Sequence, residues 1–352
     1  MSKSKDITVC TFTYNRYRDL DNLIKSFNCQ KYENCELLII DDLGSLETEK
    51  IVRPWMKKDK RIVYHKNKKN IGFSQNLKQS YHLAKGKFIL FMGDDDIFLD
   101  RNTLQYFTKA FDDKSVGVVK AAQLLYKKNG LNQAYPIATN HSNFTTFEAG
   151  LESYRELWFE SLSITGLSFR ICPELFSAIN LAPTLYPQVE HMGILCLTYK
   201  SVCINKYLVG VQSHDGQLNC ISYYLGNKKT DLLNDWMALY KRISKFAKHK
   251  QQKFLHLPEF KAKLASFIPL FFPYNRLTNG ITSSLIIVIK TIQLYPPIIF
   301  NKFFVISSIV SLILPKLLLR LLIEKIKAKR LRSQINEKEI SGYNKLLKQY
   351  YT

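Results

Sequence analysis

Three consecutive carboxylates, Asp94, Asp95 and Asp96, come directly after the apolar run Phe88-Ile-Leu-Phe-Met92 and Gly93. Like charges this close raise one another's pKa, so the cluster is costly unless water or a cation neutralises it. A hard divalent ion such as Mn2+ or Mg2+, shared with diphosphate oxygens, relieves that cost and supplies Lewis-acid chemistry. Taken alone, the triplet also suits a cap for the helix beginning near Asp100, or a wet turn. Two more polar turns end apolar runs. Thr13-Tyr14-Asn15-Arg16 comes after residues 7–12, and Asp41-Asp42 after residues 36–40. Ligands of open α/β sheets bind beyond the carboxyl ends of the strands, so these turns are expected to share one site.

The elements that must position these groups are legible as alternating strands and helices, the pattern of a mainly parallel sheet with covering helices. Residues 7–12, 36–40, 61–65 and 88–92 read as short buried strands. Leu20, Leu23, Ile24 and Phe27 form a helical stripe over 19–27. A second helix is expected over 73–83, opened by Asn70-Ile71-Gly72. Further on, 104–111 reads as helix, 116–121 as strand, 129–145 as a loop rich in Asn, Thr and Gly, 162–169 and 201–211 as strands, and 192–199 as helix.

The chain of 352 residues is 46% hydrophobic, enough for a sizeable core and incompatible with global disorder. Its seven cysteines are scattered without a C-x-x-C pair, so neither a disulfide framework nor a zinc site is indicated, and a reduced cytosolic setting is expected. Residues 1–6 are polar and lead into an apolar stretch too brief for a secretory signal. The net charge of +22 is uneven: residues 1–225 carry +5 and residues 226–352 carry +17. The expected division is therefore a nucleotide-binding α/β domain over 1–225 and a basic helical region over 226–352.

That basic region asks for an anionic partner, phospholipid or nucleic acid. Its long apolar stretches, without aromatic residues interleaved among exposed cations, favour an anionic membrane surface and argue against nucleic acid. Lys290, Lys302, Lys316 and Arg320 interrupt the apolar segments, and none supplies the ~20 unbroken residues that span a bilayer. From Pro315 onward, Lys316, Arg320, Glu324 and Lys327 form one stripe, with Leu317, Leu318, Leu321, Leu322 and Ile326 opposite. Such a helix suits the membrane interface, and residues 325–332 add further cations.

Four short motifs, in order, resemble the family 2 glycosyltransferases of the GT-A fold over roughly residues 5–225. Val9-Cys-Thr-Phe-Thr13-Tyr-Asn-Arg16 is similar to the family's first strand and the turn that borders the nucleotide. Ile39-Ile40-Asp41-Asp42 resembles its V-V-D-D-G-S element, with an extra Leu43 before Gly44-Ser45, so either aspartate can be the one that meets the base. Asn70-Ile-Gly72-Phe-Ser-Gln-Asn76 resembles, at shorter spacing, the helix start beside the donor. Gly86-Lys-Phe-Ile-Leu-Phe-Met-Gly-Asp94-Asp-Asp96 matches the strand that leads into the D-x-D motif.

The resemblance implies a metal held by Asp94 and Asp96, with Asp96 a ligand in either register of the motif and Asp95 near the ribose. It places the donor against Thr13, Tyr14, Arg16, Asp41, Asp42, Asn70, Gly72 and Asn76. Inverting members carry an E-D pair before a helix, and Glu190-His191 occupies the matching place. Glu190 is the expected base, with His191 either orienting it or acting itself; Glu190 as a simple helix cap is the alternative. His214 is a candidate to complete the metal shell. Trp158 and Phe159 suit an acceptor pocket or the core equally.

The activity implied by this resemblance is an inverting, metal-dependent transfer from a nucleotide-sugar, UDP by family frequency, to a hydroxyl of a glycan or lipid-linked glycan. It would serve bacterial surface polysaccharide synthesis from the inner face of the cell membrane. Two other readings stay open: a nucleotidyltransferase, although Thr13–Arg16 lacks a glycine-rich phosphate loop, and a catalytically silent assembly partner, which the replacement of the usual aspartate by His191 would suit.

Overall fold

The structure, a computed structural model, describes residues 5–127, 130–135, 143–179, 186–213, 232–251 and 253–351. Contacts divide the chain into two compact units. The first comprises Met1–Gln212, His249–Gln252 and Gln334–Thr352; the second comprises Ser213–Lys248 and Lys253–Ser333.

The first unit is a layered α/β domain on a ten-stranded sheet. Its amino-terminal part runs β1 (Lys5–Thr13), α1 (Tyr17–Asn28), β2 (Cys35–Asp41), α2 (Leu46–Lys58), β3 (Ile62–Lys66), α3 (Gly72–Leu83) and β4 (Gly86–Phe91). These strands pair in parallel in the order β3-β2-β1-β4. β2 is buried along its whole length, as expected for a parallel strand covered on both faces. α1 buries Leu20, Leu23, Ile24 and Phe27, the predicted stripe, against Ile7, Val9, Leu37 and Ile39.

Beyond β4 the pairing changes. β9 (Leu167–Arg170) lies antiparallel to β4 and to β6 (Val116–Lys127), and β6 pairs in parallel with β10 (Lys200–Gln212). Short β5 (Ile97–Phe98) closes that edge against β10. α4 (Thr103–Ala110), α5 (Leu151–Leu157), α6 (Pro173–Ile179) and α7 (Pro187–Thr198) complete the domain.

The loop expected over 129–145 is partly strand: β7 (Gly130–Tyr135) extends β6 as a hairpin, and β8 (Phe144–Phe147) pairs with β10. Its polar composition hid strands that lie at the rim, where alternation with apolar residues is weak. The strand expected from 162 begins only at Leu167, because Glu160–Leu162 forms a single 3-10 turn.

The second unit is helical: α8 (Leu232–His249), α9 (Leu257–Phe267), a 3-10 turn at Ile268–Phe271, α10 (Phe272–Leu294), a second 3-10 turn at Pro296–Phe300, α11 (Lys302–Ile313) and α12 (Lys316–Gln334). Taken as one run, and by length and composition only, Leu257–Leu294 is apolar enough to cross a membrane, although cations interrupt it as the sequence indicates. The lysines that interrupt the sequence pattern do not interrupt the helical run. Gly280 does break it, with φ of 86°.

The basic stripe expected on α12 is also altered. Lys316, Arg320 and Glu324 are exposed, but Lys327 is buried over the Tyr274 ring and pairs with Glu324. Leu319 and Ile323 are buried, while Leu317, Leu318, Leu321, Leu322 and Ile326 remain outside.

α13 (Glu337–Tyr351) departs from the expected 226–352 region and packs with the first unit. Leu347 and Tyr350 are buried, Asn344 Oδ1 accepts from the Leu131 N–H at 2.9 Å, and the Tyr350 carbonyl accepts from Lys25 at 3.5 Å. Leu347→Ala is expected to destabilise the α/β unit by about 3 kcal/mol, the usual cost of a buried leucine truncation. Urea unfolding followed by near-UV signal measures it; an unchanged midpoint would detach α13 from that unit.

Candidate active site

The three turns identified from sequence lie at the carboxyl ends of adjacent strands β2, β1 and β4. Thr13 sits directly beside Asp41 in the β1–β2 register. The chain then turns through Asn15, whose left-handed φ of 57° its own side chain tolerates, and Asn15 Oδ1 accepts from the Ser45 N–H at 2.8 Å. This turn aims Arg16 at the triplet. Its guanidinium pairs with Asp94 Oδ1 at 3.3 Å and, more closely, with Asp95 Oδ2. Tyr14 projects into solvent, half exposed.

All three aspartates are buried. Burial pushes the Asp94 carboxyl up to about 7, with the Arg16 charge opposing that rise and Asp95 adding to it. Asp96 is raised too, by burial first and the Asp95 charge next. Asp96 is held on both oxygens, Oδ1 by the Gln212 N–H at 2.9 Å and Oδ2 by the Thr165 hydroxyl. The Gly93 N–H donates to that same hydroxyl at 2.9 Å, and a Cβ at Gly93 would come within 2.5 Å of Asp96 Oδ2. Tyr126 donates to the Asp95 carbonyl at 3.0 Å.

Lys120 is buried below this group and donates to the carbonyls of Ser163 and Thr165, both at 2.7 Å. The turn that presents Thr165 is thus fastened from beneath. Sequence reasoning missed Thr165, Lys120, Gln212 and Tyr126. They come from the distant half of the sheet, and no local motif marks them.

Asp41 and Asp42 divide their work. Asp41 accepts from the Gly44 N–H and the Tyr64 hydroxyl, each at 2.5 Å. Asp42 receives the Ile71 and Gly72 N–H groups at 2.8 Å and the Asn67 amide at 2.9 Å. Burial alone would raise its pKa; the Ile71 N–H, the Asn67 amide and the Gly72 N–H together hold it below the usual carboxylate range. Asn67 also donates to Asn76 Oδ1 at 2.7 Å, so Asn76 belongs to the same internal network, whereas Asn70 is exposed. Gly72, at φ of 76°, allows the helix start to bend onto Asp42.

Glu190 closes the first turn of α7 and His191 follows it, both buried. His191 Nδ1 is 2.7 Å from the Tyr81 hydroxyl, and burial, helped by the Lys78 charge, pushes its pKa down to about 3. It is therefore neutral across the physiological range. Trp158 is buried and meets Tyr154 edge to face at 5.0 Å, which makes it core; Phe159 is half-buried. His214 lies outside the described residues.

Carboxylate oxygens form the chemistry expected for Mn2+ or Mg2+. Among the described residues no group of three or more acidic, His or Cys side chains is arranged to hold a metal by itself. Asp94 Oδ2, however, is buried with no hydrogen bond satisfying it. An orphaned hard donor beside Arg16 fits an ion that shares its shell with a bound diphosphate.

A parallel half-sheet whose carboxyl edge carries Thr13–Arg16, Asp41–Asp42 and the acidic triplet is a GT-A-type α/β domain. Residues 8–176 match the family model described as glycosyl transferase family 2. It is 33% identical over 94 residues to the GalNAc(5)-diNAcBac-PP-undecaprenol beta-1,3-glucosyltransferase of Campylobacter jejuni, covering 26% of this chain and 30% of that protein. It is 33% identical over 93 residues to the abequosyltransferase RfbV of Salmonella typhimurium, covering 26% and 28%. An uncharacterised glycosyltransferase of Methanocaldococcus jannaschii is 25% identical over 126 residues, 35% of this chain and 43% of its own length. The matched segments thus span less than half of these relatives. In fold, the chain is similar to S. aureus TarS residues 1–349 in complex with UDP-GlcNAc, with a TM-score of 0.54, 17% identity and coverage of 98% of this chain and 91% of that one.

The raised Asp94 and Asp96 carboxyls set a pH dependence. A carboxyl whose folded pKa lies above its unfolded value of 3.8 binds more protons in the folded state between the two values. Stability is therefore lost as pH rises through that window. Metal-free protein is expected to melt progressively lower from about pH 5 to about pH 7, by on the order of 1 kcal/mol per pH unit, and Asp94→Asn to flatten the slope. Melting curves at fixed ionic strength decide; an equal slope in the variant removes Asp94 as the cause.

Proposed function

We propose that the protein is an inverting glycosyltransferase that moves a sugar from a nucleotide-sugar, UDP-sugar by default, to a hydroxyl of a lipid-linked glycan in surface polysaccharide synthesis. The observation that carries this reading is the convergence of Arg16, Asp94 and Asp95 at the end of β4, within a family 2 domain. The name of one relative, a beta-1,3-glucosyltransferase for GalNAc(5)-diNAcBac-PP-undecaprenol, supports the acceptor class. The UDP-GlcNAc complex of TarS supports the donor class.

Asp94 and Asp96 would hold the Mn2+ or Mg2+, and the bound ion would stabilise charge on the departing diphosphate. Asp96 is suited to this by its fixed orientation between Thr165 and Gln212, which leaves two further lone pairs on its oxygens. Arg16 neutralises Asp94 and Asp95 while the donor is absent and is long enough to turn to a phosphate when it arrives. Asp41, Thr13 and Tyr14 border the nucleotide. Asp42, Asn76 and Gly72 support it indirectly by fixing the start of α3.

Glu190 serves as base. It takes the acceptor proton as the hydroxyl oxygen bonds to the anomeric carbon, and the bond to the diphosphate oxygen breaks on the opposite side, giving inversion. His191, neutral and anchored to Tyr81, orients the start of α7 and so is a positioning residue. The reaction is placed on the cytoplasmic side of the cell membrane, with the protein attached peripherally. The +17 charge of residues 226–352 supports that placement.

Glu190→Gln is expected to lower sugar transfer by at least about 100-fold while leaving UDP affinity within about threefold, since only proton removal is lost. Asp96→Asn should abolish metal-dependent donor turnover and the Mn2+-dependent thermal shift produced by UDP. Transfer near the parent rate in Glu190→Gln would remove it as base, and unchanged Mn2+ dependence in Asp96→Asn would remove that residue as ligand.

A further inference from the structure

Two stretches of the second unit, α11 and the carboxyl-terminal half of α10, orient their side chains opposite to what water favours. α11 buries Phe304 together with Ser307, Ser308 and Ser311, and it exposes Phe303, Val305, Ile306, Ile309 and Ile313. The carboxyl-terminal half of α10 repeats the pattern. Ser284 and Thr291 face inward beside Ile287 and Val288, while Ile281, Leu285, Ile286 and Ile289 face outward. The 3-10 turn between them presents Ile299 and Phe300, the latter 84% exposed. These three elements pack on one another, so the apolar residues belong to one helical assembly.

In a water-soluble bundle the large apolar residues meet and the serines face out. Small hydroxyl residues at helix contacts with branched aliphatics outside is the arrangement favoured when the surroundings are hydrocarbon. Most of the inward hydroxyls are satisfied locally: Ser307 donates to the Pro269 carbonyl at 2.6 Å, Ser308 to the Phe304 carbonyl at 2.8 Å and Thr291 to the Ile287 carbonyl at 2.7 Å, while Ser311 Oγ is buried with no hydrogen-bond partner.

Charge points the same way. Residues 260–323 contain no Asp or Glu, but they include Lys261, Lys263, Arg276, Lys290, Lys302, Lys316 and Arg320. Lys302 and Lys316 are the first residues of α11 and α12, and both are exposed, as is Lys290 within α10. Cations at the rim of an apolar face match anionic headgroups around acyl chains. Length excludes spanning by these pieces: α11 covers about 18 Å and the part of α10 after Gly280 about 21 Å, against a hydrocarbon core of about 30 Å.

We propose that α10 after Gly280, the Pro296–Phe300 turn and α11 form a monotopic insertion face that enters one leaflet of an anionic bilayer, with Phe300 and Ile313 among its buried residues. The proposal deepens the peripheral attachment proposed above. It relies on that reading for the side of the membrane and on the inverted packing for the face itself. It also moves the contact from the cationic stripe of α12 to an apolar surface.

The test is flotation of the full chain with vesicles of phosphatidylcholine alone or with about 30% phosphatidylglycerol, at about 0.1 M and about 1 M salt. The full chain should float with the anionic vesicles and remain largely bound at high salt, because hydrocarbon burial is not screened. The combined substitution Ile306→Gln, Ile309→Gln and Ile313→Gln should reduce the bound fraction at least tenfold, with UDP-sugar hydrolysis unchanged. Phe300→Trp should give a blue-shifted emission quenched by lipids labelled in the acyl chain. Binding lost entirely at 1 M salt, or a triple variant that floats like the parent, would overturn the proposal. So would a vesicle-free dimer that the triple variant converts to monomer, since the face would then belong to a second copy. Hydrolysis measured on the same samples separates failure of the membrane face from failure of the glycosyltransferase reading.

Discussion

The first unit is organised around the cost of burying three carboxylates at the end of β4. Desolvation drives both Asp94 and Asp96 towards the protonated form, and each neighbouring carboxylate adds to the effect. The surrounding elements each contribute something that opposes it. β1 delivers Arg16, β10 delivers the Gln212 N–H, and the turn before β9 delivers the Thr165 hydroxyl. β4 is also the strand at which pairing changes, parallel to β1 on one side and antiparallel to β9 on the other. In the order β3-β2-β1-β4 the chain also reverses its progress across the sheet between β1 and β4, and such a switch point opens a crevice at the carboxyl ends of the strands where polar groups can collect. The acidic triplet occupies that position.

Support for the triplet extends one layer deeper. Lys120 directs its donors to the Ser163 and Thr165 carbonyls, and Gln123 donates to the Ser163 hydroxyl at 3.0 Å and to the Thr165 carbonyl. Burial pushes the Lys120 ammonium down to about 7, the neighbouring Glu160 charge opposing that fall. A buried amine is costly wherever it stands. Its placement under the turn that aims Thr165 at Asp96 gives that cost a structural purpose, because two buried carbonyls receive its hydrogen bonds. The nucleotide side shows the same arrangement: Asp42 ties down α3 through two backbone N–H groups, so the start of that helix is held without any ligand.

Short-range pattern makes the parallel half of the sheet legible. Short apolar-rich runs predict β1 to β4, those of β1, β2 and β4 ending in polar turns, and the 3.6-residue stripe predicts α1. The polar rim strands β7 and β8 look like loop in sequence because alternation with apolar residues is weak there. In the site, residues within one turn of a strand end can be found from sequence: Arg16, Asp94 and Asp95 meet as their positions suggest. Thr165 and Gln212 cannot, since 69 and 116 residues separate them from Asp96 and only the β4-β9-β6-β10 order brings them there. His191 is intermediate. Its position is visible, but its neutrality depends on burial against Tyr81, 110 residues away.

Under the proposed membrane attachment the two units would answer to different solvents, which bears on how a polar sugar donor and the proposed lipid-linked acceptor would meet. The α/β unit keeps its aliphatic residues inside and most of its lysines outside, as water requires. Within the helical unit, α11 and the second half of α10 place Ser284, Thr291, Ser307 and Ser308 inside and Ile281, Ile286, Ile289, Ile306 and Ile309 outside, so in water they carry an exposed apolar surface. Covering it with a bilayer confines the enzyme to the plane where such an acceptor diffuses. Encounter is then governed by a local concentration set by attachment, the gain that any tethering gives. The inverted packing of the second unit would then contribute to the reaction without touching either substrate, by fixing which acceptors the site at the end of β4 can reach.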